Sequence, residues 1–361
     1  MRKLRSVIIG ATGLAGQQFI AALQNHPFIE ISGLAASPRS AGKRYVDALR
    51  APSGMTAWLV AEPLPASVAQ MTVLNGADVK AADYDLAFSA VEADVARELE
   101  PRLARDIPVV STASAFRYED DVPLIIPPVN AGHTALLREQ QKRRGWKGFI
   151  APIPNCTTTG LAVTLAPLEA AFGLKALIMT SMQAMSGAGR SPGVIGLDIL
   201  DNVIPHIAKE EGKVEVETRK ILGRLRPEGG VEPHAIKVSA TCTRVAVIDG
   251  HTEAVSVSLK KPASLGEVAA AMREWQGAAS ANALPTAPPR WIELLEDPFR
   301  PQPRLDRETH GGMATSVGRL REDAVLENGI KYVLVSHNTK MGAAKGAVVL
   351  AELLKAEGVI A

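Results

Sequence analysis

The chain is 361 residues long, 47% hydrophobic and 22% charged, too long for one ordinary core and apolar enough for two. Its 40 basic and 38 acidic residues leave a net charge of +2, which gives no broad field for holding nucleic acid or an anionic membrane, so any anion is bound by local groups. The two cysteines, Cys156 and Cys242, make neither a disulfide scaffold nor a metal-ligand set, which points to a reducing, cytoplasmic setting and no bound metal.

The opening segment MRKLRSVIIGATGLAG has a basic head, but its apolar run is short and broken by Gly10 and Gly13, unlike a signal peptide. No later segment offers the roughly 18 uninterrupted apolar residues of a membrane span. Residues 6–9 form a β-branched run that predicts a strand ending at Gly10, and residues 17–23 predict a helix. Apolar runs at 29–35, 86–90, 109–110 and 124–126 alternate with helical or turn-rich stretches, which predicts a parallel sheet covered by helices, a Rossmann-like α/β domain. After about residue 153 the pattern changes. Helices over 157–172 and 214–225 interleave with strands over 177–183, 236–247 and 254–259, predicting a second, α+β domain with a mixed sheet and helices on one face. The proline-rich stretch 282–304 reads as an extended excursion over the surface or into a partner subunit, and 340–354 as a terminal helix.

Gly10, Gly13 and Gly16 in GATGLAG follow a strand and open a helix. Glycines there let the backbone approach a pyrophosphate, and the helix N-terminus attracts its charge; the other reading is tight packing of a βα unit. An NAD site places an acidic residue at the end of the second strand, whereas ASPRSAGK has Ser37, Arg39, Ser40 and Lys43, groups suited to a 2′-phosphate or to a solvated basic turn. Further on, PNCTT sets Cys156 where a strand gives way to a helix. Helix N-terminal N–H groups lower a thiol's pKa, which suits a nucleophile, while a buried structural cysteine is the other reading.

The segments GATGLAG, ASPRSAGK, STASAFRYEDDVPLIIPPVN, PNCTTTG, MQAMSGAG, VETRKIL, TCTRVAVIDGHTEAVSV, RPQPRLDR and SHNT resemble, in order and over nearly the whole chain, the archaeal and fungal branch of the aspartate-β-semialdehyde dehydrogenases. The resemblance implies that Cys156 is the nucleophile, His251 the acid/base and Gln183 the amide that orients substrate. It assigns Arg244 to the substrate carboxylate, Glu217 to the substrate end, Arg117 and Lys220 to phosphate, and sets Asn155 beside them. Its cofactor set is Gly10, Thr12, Gly13, Leu14, Ala15, Gly16, Ser37, Arg39, Ser40, Lys43, Ser89, Ser186, Gly187 and Asn338, holding NADP. Two domains are implied, 1–152 with a returning helix in 337–361, and a catalytic and dimerisation domain over 153–336, in a homodimer or homotetramer.

The implied reaction interconverts aspartate semialdehyde, phosphate and NADP⁺ with aspartyl phosphate and NADPH through a cysteine thioester, in lysine, threonine, methionine and isoleucine biosynthesis. A malonyl-CoA reductase-like enzyme and a non-catalytic NADP-sensing module are the alternatives on the same scaffold. Two departures from the family pattern are Pro128, in place of an acidic residue, and Lys340 with Met341 near the C-terminus.

Overall fold

The computed structural model describes residues 2–51, 53–188 and 198–360. Six parallel strands make the first sheet: β1 (Leu4–Ile9), β2 (Ile29–Ala36), β3 (Val73–Asn75), β4 (Leu86–Ser89), β5 (Val109–Ser111) and β6 (Ile150–Pro152), in the order β3-β2-β1-β4-β5-β6. Helices α1 (Leu14–Ala22), α2 (Ala93–Ala104) and α3 (Ala135–Arg144) connect them. In β1, Ile8 joins one core with Phe19 and Phe88, while Val7 and Ile9 join another with Leu103 and Val109. Burial on both faces is why these strands read as continuous apolar runs.

The predicted strand at 124–126 is not one. Asn130 takes over the backbone groups a neighbouring strand would have bonded: its Oδ1 accepts from Ile126 N at 2.8 Å and its Nδ2 donates to Leu124 O at 2.9 Å. The segment is buried, and β6 takes the sixth place in the sheet.

The second sheet is mixed. Its strands are β7 (Leu174–Gln183), β10 (Lys237–Arg244), β11 (His251–Leu259), β12 (Ile292–Leu294), β13 (Thr315–Asp323) and β14 (Gly329–Ser336), ordered β10-β7-β11-β14-β13-β12. Between β7 and β10 the two-residue strands β8 (Arg224–Leu225) and β9 (Val231–Glu232) pair with each other. Helices α4 (Cys156–Phe172), α5 (Glu210–Ile221) and α6 (Leu265–Glu274) contribute buried side chains to the core of this sheet. Its other face is open, with Ile178, Thr180, Ser239, Thr241 and Ala254 exposed.

Three predictions need adjusting here. The helix expected over 214–225 begins at Glu210 and stops at Ile221, because Gly223 packs against Glu232 O and leads into β8. The strand expected to reach 247 ends at Arg244, where the chain turns across the end of β7. The stretch 282–304 is more than a surface excursion: Trp291 and Ile292 are buried, and β12 pairs in parallel with β13 at the sheet edge.

The last helix, α7 (Lys345–Ala356), joins the two halves, with Val348, Leu350 and Leu354 in the first core and Val349 and Leu353 in that of the second sheet. The wide helical turn before it, Lys340–Ala344, carries Lys340. The Lys340 ammonium lies 2.8 Å from Glu308 and 3.2 Å from Glu62, tying the first domain to the second. Among the described residues no helix is long and apolar enough to cross a membrane.

Two outcomes follow from this packing. A Cβ on Gly160 of α4 would sit 2.6 Å from the Ser336 Cβ of β14, so Gly160→Ala should lower stability by about 1–3 kcal/mol in denaturant titration. Bonds from His337 and Lys340 hold the Glu308 carboxyl down at about 2, against an ordinary value of 4.5. A depressed carboxylate stabilises the fold above its ordinary pKa, and that share is lost as pH falls through 4.5 toward 2. The stability gap between wild type and Glu308→Gln should therefore shrink over that window.

Candidate active site

The site forms where three strand ends meet a helix start. Arg244 of β10 pairs with Gln183 of β7, and Thr252 of β11 with Met182, so His251, Gln183 and Arg244 end neighbouring strands side by side. The N-terminus of α4 brings Cys156 to this row, with Sγ 3.2 Å from His251 Nε2. Asn155 caps that helix: its Oδ1 accepts from Thr157 N at 3.0 Å and Thr158 N at 3.3 Å. On the other ring nitrogen of His251, Ala184 N donates to Nδ1 at 3.1 Å, and Arg244 Nη1 donates to Ala184 O at 2.8 Å. The amide of Gln183 is buried and donates to Ser181 Oγ at 3.2 Å.

The helix start was expected to lower the thiol's pKa, and the site does the opposite. Burial and the nearby Glu210 charge push Cys156 up to about 12, outweighing Arg117, Arg244 and the Thr157 N–H, which pull it down. Burial and the Arg244 cation press His251 down to about 3. Both shifts disfavour the charged forms of the pair.

Cys156 opens into a cleft of about 1290 Å³ that runs from the first sheet to the second. At one end lie Thr12, Gly13, Leu14 and Ala15, with Arg39, Ser40 and Lys43 on the wall; at the other lie Arg117, Asn155, Arg244, Ser186, Gly187 and Asn338. Gly10 and Gly16 do not line it but make its floor possible. Gly10 has φ +82° and a Cβ there would lie 2.2 Å from Ala90 O, while a Cβ on Gly16 would lie 2.3 Å from Gly10 O.

Gly13 caps α1 without a side-chain bond, and no acidic residue occupies the first turn, so the helix's N–H groups stay free for an anion. Ser37 is exposed and off the cleft wall, and Ser89 is fully buried at the end of β4 with its hydroxyl unpaired. Asn338 donates to Ser186 Oγ at 2.8 Å and accepts from Gly250 N at 2.9 Å. Gly189, the last residue of the MQAMSGAG segment, lies outside the described residues.

Glu217 and Lys220 do not line the cleft. Glu217 is fully buried, accepting from Asn155 N at 2.6 Å, Arg117 Nη1 at 3.0 Å and Tyr118 OH at 3.2 Å. Lys220 Nζ donates to Arg117 O at 2.8 Å and Glu119 O at 2.9 Å, and burial lowers its pKa to about 8. The same helix presents a second pair with the same spacing, Glu210 and Lys213, and these do line the cleft. Glu210 accepts from Asn155 Nδ2 at 2.7 Å and from Lys213 Nζ at 3.0 Å. In EEGKVEVETRK the two Glu-x-x-Lys pairs are seven residues apart and so share a helix face, and the sequence alone does not say which of them meets the cleft.

Comparison with known proteins agrees with this architecture. The family model described as "Semialdehyde dehydrogenase, NAD binding domain" matches residues 5–137, and the one described as "Semialdehyde dehydrogenase, dimerisation domain" matches residues 165–341. An aspartate-semialdehyde dehydrogenase of Methanothermobacter thermautotrophicus is 46% identical over 96% of this chain and 97% of its own. That of Candida albicans is 44% identical over 98% of each. The chain belongs to the aspartate-semialdehyde dehydrogenase family.

It is thus an oxidoreductase acting on an aldehyde. The Candida albicans enzyme's crystal structure with NADP matches with a TM-score of 0.88 over 99% of this chain and 100% of that one, at 42% identity. A Vibrio cholerae enzyme complexed with ASA matches with a TM-score of 0.77 over 98% and 99%, at 26% identity.

The two carboxylates of α5 separate in a stability measurement. Glu217→Ala leaves Arg117 and Asn155 N buried without their partner and should cost about 3–5 kcal/mol. Glu210→Ala should cost less than half of that, since water in the cleft can reach Asn155 Nδ2. Urea melts of both variants check the difference.

Proposed function

We propose that the protein is an NADP-dependent aspartate-semialdehyde dehydrogenase that works through a Cys156 thioester, with phosphate as the acceptor of the acyl group. The observation that carries this reading is Cys156 Sγ at 3.2 Å from His251 Nε2 on a cleft that continues to the Gly10–Gly13 turn. The free N–H groups at the start of α1 suit a pyrophosphate, and Arg39 and Lys43 suit a 2′-phosphate. NADP bound there supplies the hydride acceptor for aldehyde oxidation.

The chain's own residues do the rest. Cys156 forms the bond to the aldehyde carbon, and the guanidinium of Arg244 holds the substrate carboxylate through its planar fork. Glu210 meets the substrate ammonium, in the role that the resemblance gave to Glu217. Lys213 and Arg117, which also line the cleft, bind phosphate, replacing Lys220 in that role. Gln183 lies between Arg244 and His251 and fixes the row on which the carbonyl is held. Protomers associate through the open face of the second sheet, where Ile178 and Ala254 are exposed; the family model's own description as a dimerisation domain supports this.

Steady-state assays of NADPH formation test the assignments. Lys213→Ala should raise the KM for phosphate at least tenfold and leave that for NADP within twofold; Arg39→Ala should do the reverse. Reduction of malonyl-CoA without phosphate-dependent oxidation of aspartate semialdehyde would overturn the substrate assignment.

A further inference from the structure

We infer that Glu100, a buried carboxyl behind the cleft wall, is a positioning residue for phosphate: as a neutral acid it leaves the Arg117 guanidinium to the incoming anion, and as a carboxylate it competes for that cation. The inference deepens the reading above and rests on it for the assignment of Arg117 to phosphate.

Two strand ends and a helix build the cluster. Ser89 and Ser111 pair at the ends of β4 and β5, and both are fully buried. Glu100 of α2 is 1% exposed and accepts from Ser111 Oγ at 2.5 Å. Around it on α2, Ala96, Leu99 and Leu103 are core residues. From Ser111 the chain passes straight into the cleft wall, which Thr112, Ala113, Ser114 and Arg117 line. Three polar atoms of this cluster are buried without a partner: Ser89 Oγ, Glu100 Oε2 and Arg117 Nε.

Arg117 is the cation that acts on Glu100, and it already serves another buried carboxylate. Its Nη1 donates to Glu217 at 3.0 Å and its Nη2 to Thr112 O at 2.8 Å, while Nε is uncommitted. An ionised Glu100 therefore sets two buried carboxylates on one guanidinium, and an excess of negative charge meets the incoming dianion. With Glu100 protonated, the guanidinium balances Glu217 alone and its remaining N–H groups are left for phosphate oxygens.

Burial holds the Glu100 carboxyl up at about 7, against the serine hydroxyls and the Arg117 charge, which pull it down. Both states are thus populated near neutrality. Phosphate on Arg117 adds negative charge and favours the acid, so its binding draws a proton from solvent onto Glu100. By reciprocity, protonation of Glu100 tightens phosphate, and that gain is lost as pH rises through 7. The other titratable groups that face Arg117 are Glu217 and Tyr118, bonded to each other, the Cys156 thiol, and Lys220, which burial lowers to about 8. Lys220 titrates just above the range of Glu100 and is present in every variant below.

Sulfate, a dianion throughout pH 6 to 8, tests the inference as a competitor of phosphate in NADPH formation at constant ionic strength. Its inhibition constant in wild type should rise about fivefold or more between those pH values. Glu100→Gln keeps the shape of the side chain but cannot ionise, so there the constant should stay low and change by about threefold at most. An equal rise in both proteins overturns the inference. Ser111→Ala removes a hydrogen bond to the carboxylate, so the midpoint of the rise should move to higher pH. An unmoved midpoint counts against the role of Glu100, and this arm holds even where Glu100→Gln does not fold. Arg117→Lys keeps the charge beside Glu217 but loses the planar fork, and should raise the KM for phosphate. An unchanged KM in that variant overturns the phosphate assignment, whereas a raised KM together with a wild-type sulfate profile in Glu100→Gln overturns the role of Glu100 alone.

Discussion

The carboxylate of Glu217 is the point on which the site's geometry depends. It is completely buried and is shared by Arg117 and Tyr118 of the first domain, Asn155 at the junction, and its own helix in the second. Losing water around such a charge costs several kcal/mol, so the site is stable only with all of its donors in place. That requirement fixes where Asn155 lies, and Asn155 caps α4 and so sets the first residue, Cys156. The same carboxylate fixes Arg117, whose other arm donates to Thr112 O at 2.8 Å on the cleft wall. A residue read from sequence as a substrate ligand lies off the cleft, bonded to Arg117 and Asn155, which line it.

Much of the fold was legible because local chemistry and tertiary role coincide. The strand, glycine turn and helix at the N-terminus could be read because Gly10 must adopt a positive φ there and a Cβ would strike Ala90 O. The start of α4 could be read from Asn155, a strong cap. What could not be read depended on partners distant in sequence. Strands β3 and β6 are three residues each, and their pairing is supplied by β2 and β5. Residues 124–126 have the composition of a strand, but the side chain of Asn130 takes its backbone bonds. The choice between two Glu-x-x-Lys pairs on α5 is made by how far the helix is slid toward the cleft, which no single-helix pattern records. Equally, a helix start promises a low thiol pKa, but burial and the charge of Glu210 reverse it, and both are properties of the assembled site.

The loop from β10 to β11 joins these elements into one device. Because β7 lies between the two strands, the loop must cross its end, and it does so bonded to the segment that follows Gln183: Val245 N donates to Gln183 O, Met185 N to Val247 O and Ser186 N to Ile248 O. Gly250, at φ +95° and packed against Arg307, lets the chain turn back into β11 and present His251. One side chain then ties both ends. Asn338 accepts from Gly250 N and donates to Ser186 Oγ, so the loop beside the cleft and the residue preceding His251 share a single amide. Ser186 is thereby linked to Gly250 through that amide, and Ala184, two residues upstream of Ser186, donates to His251. The imidazole of His251 and the segment from Ala184 to Ser186 are therefore joined by main-chain hydrogen bonds to the β10–β11 loop and by the side chain of Asn338.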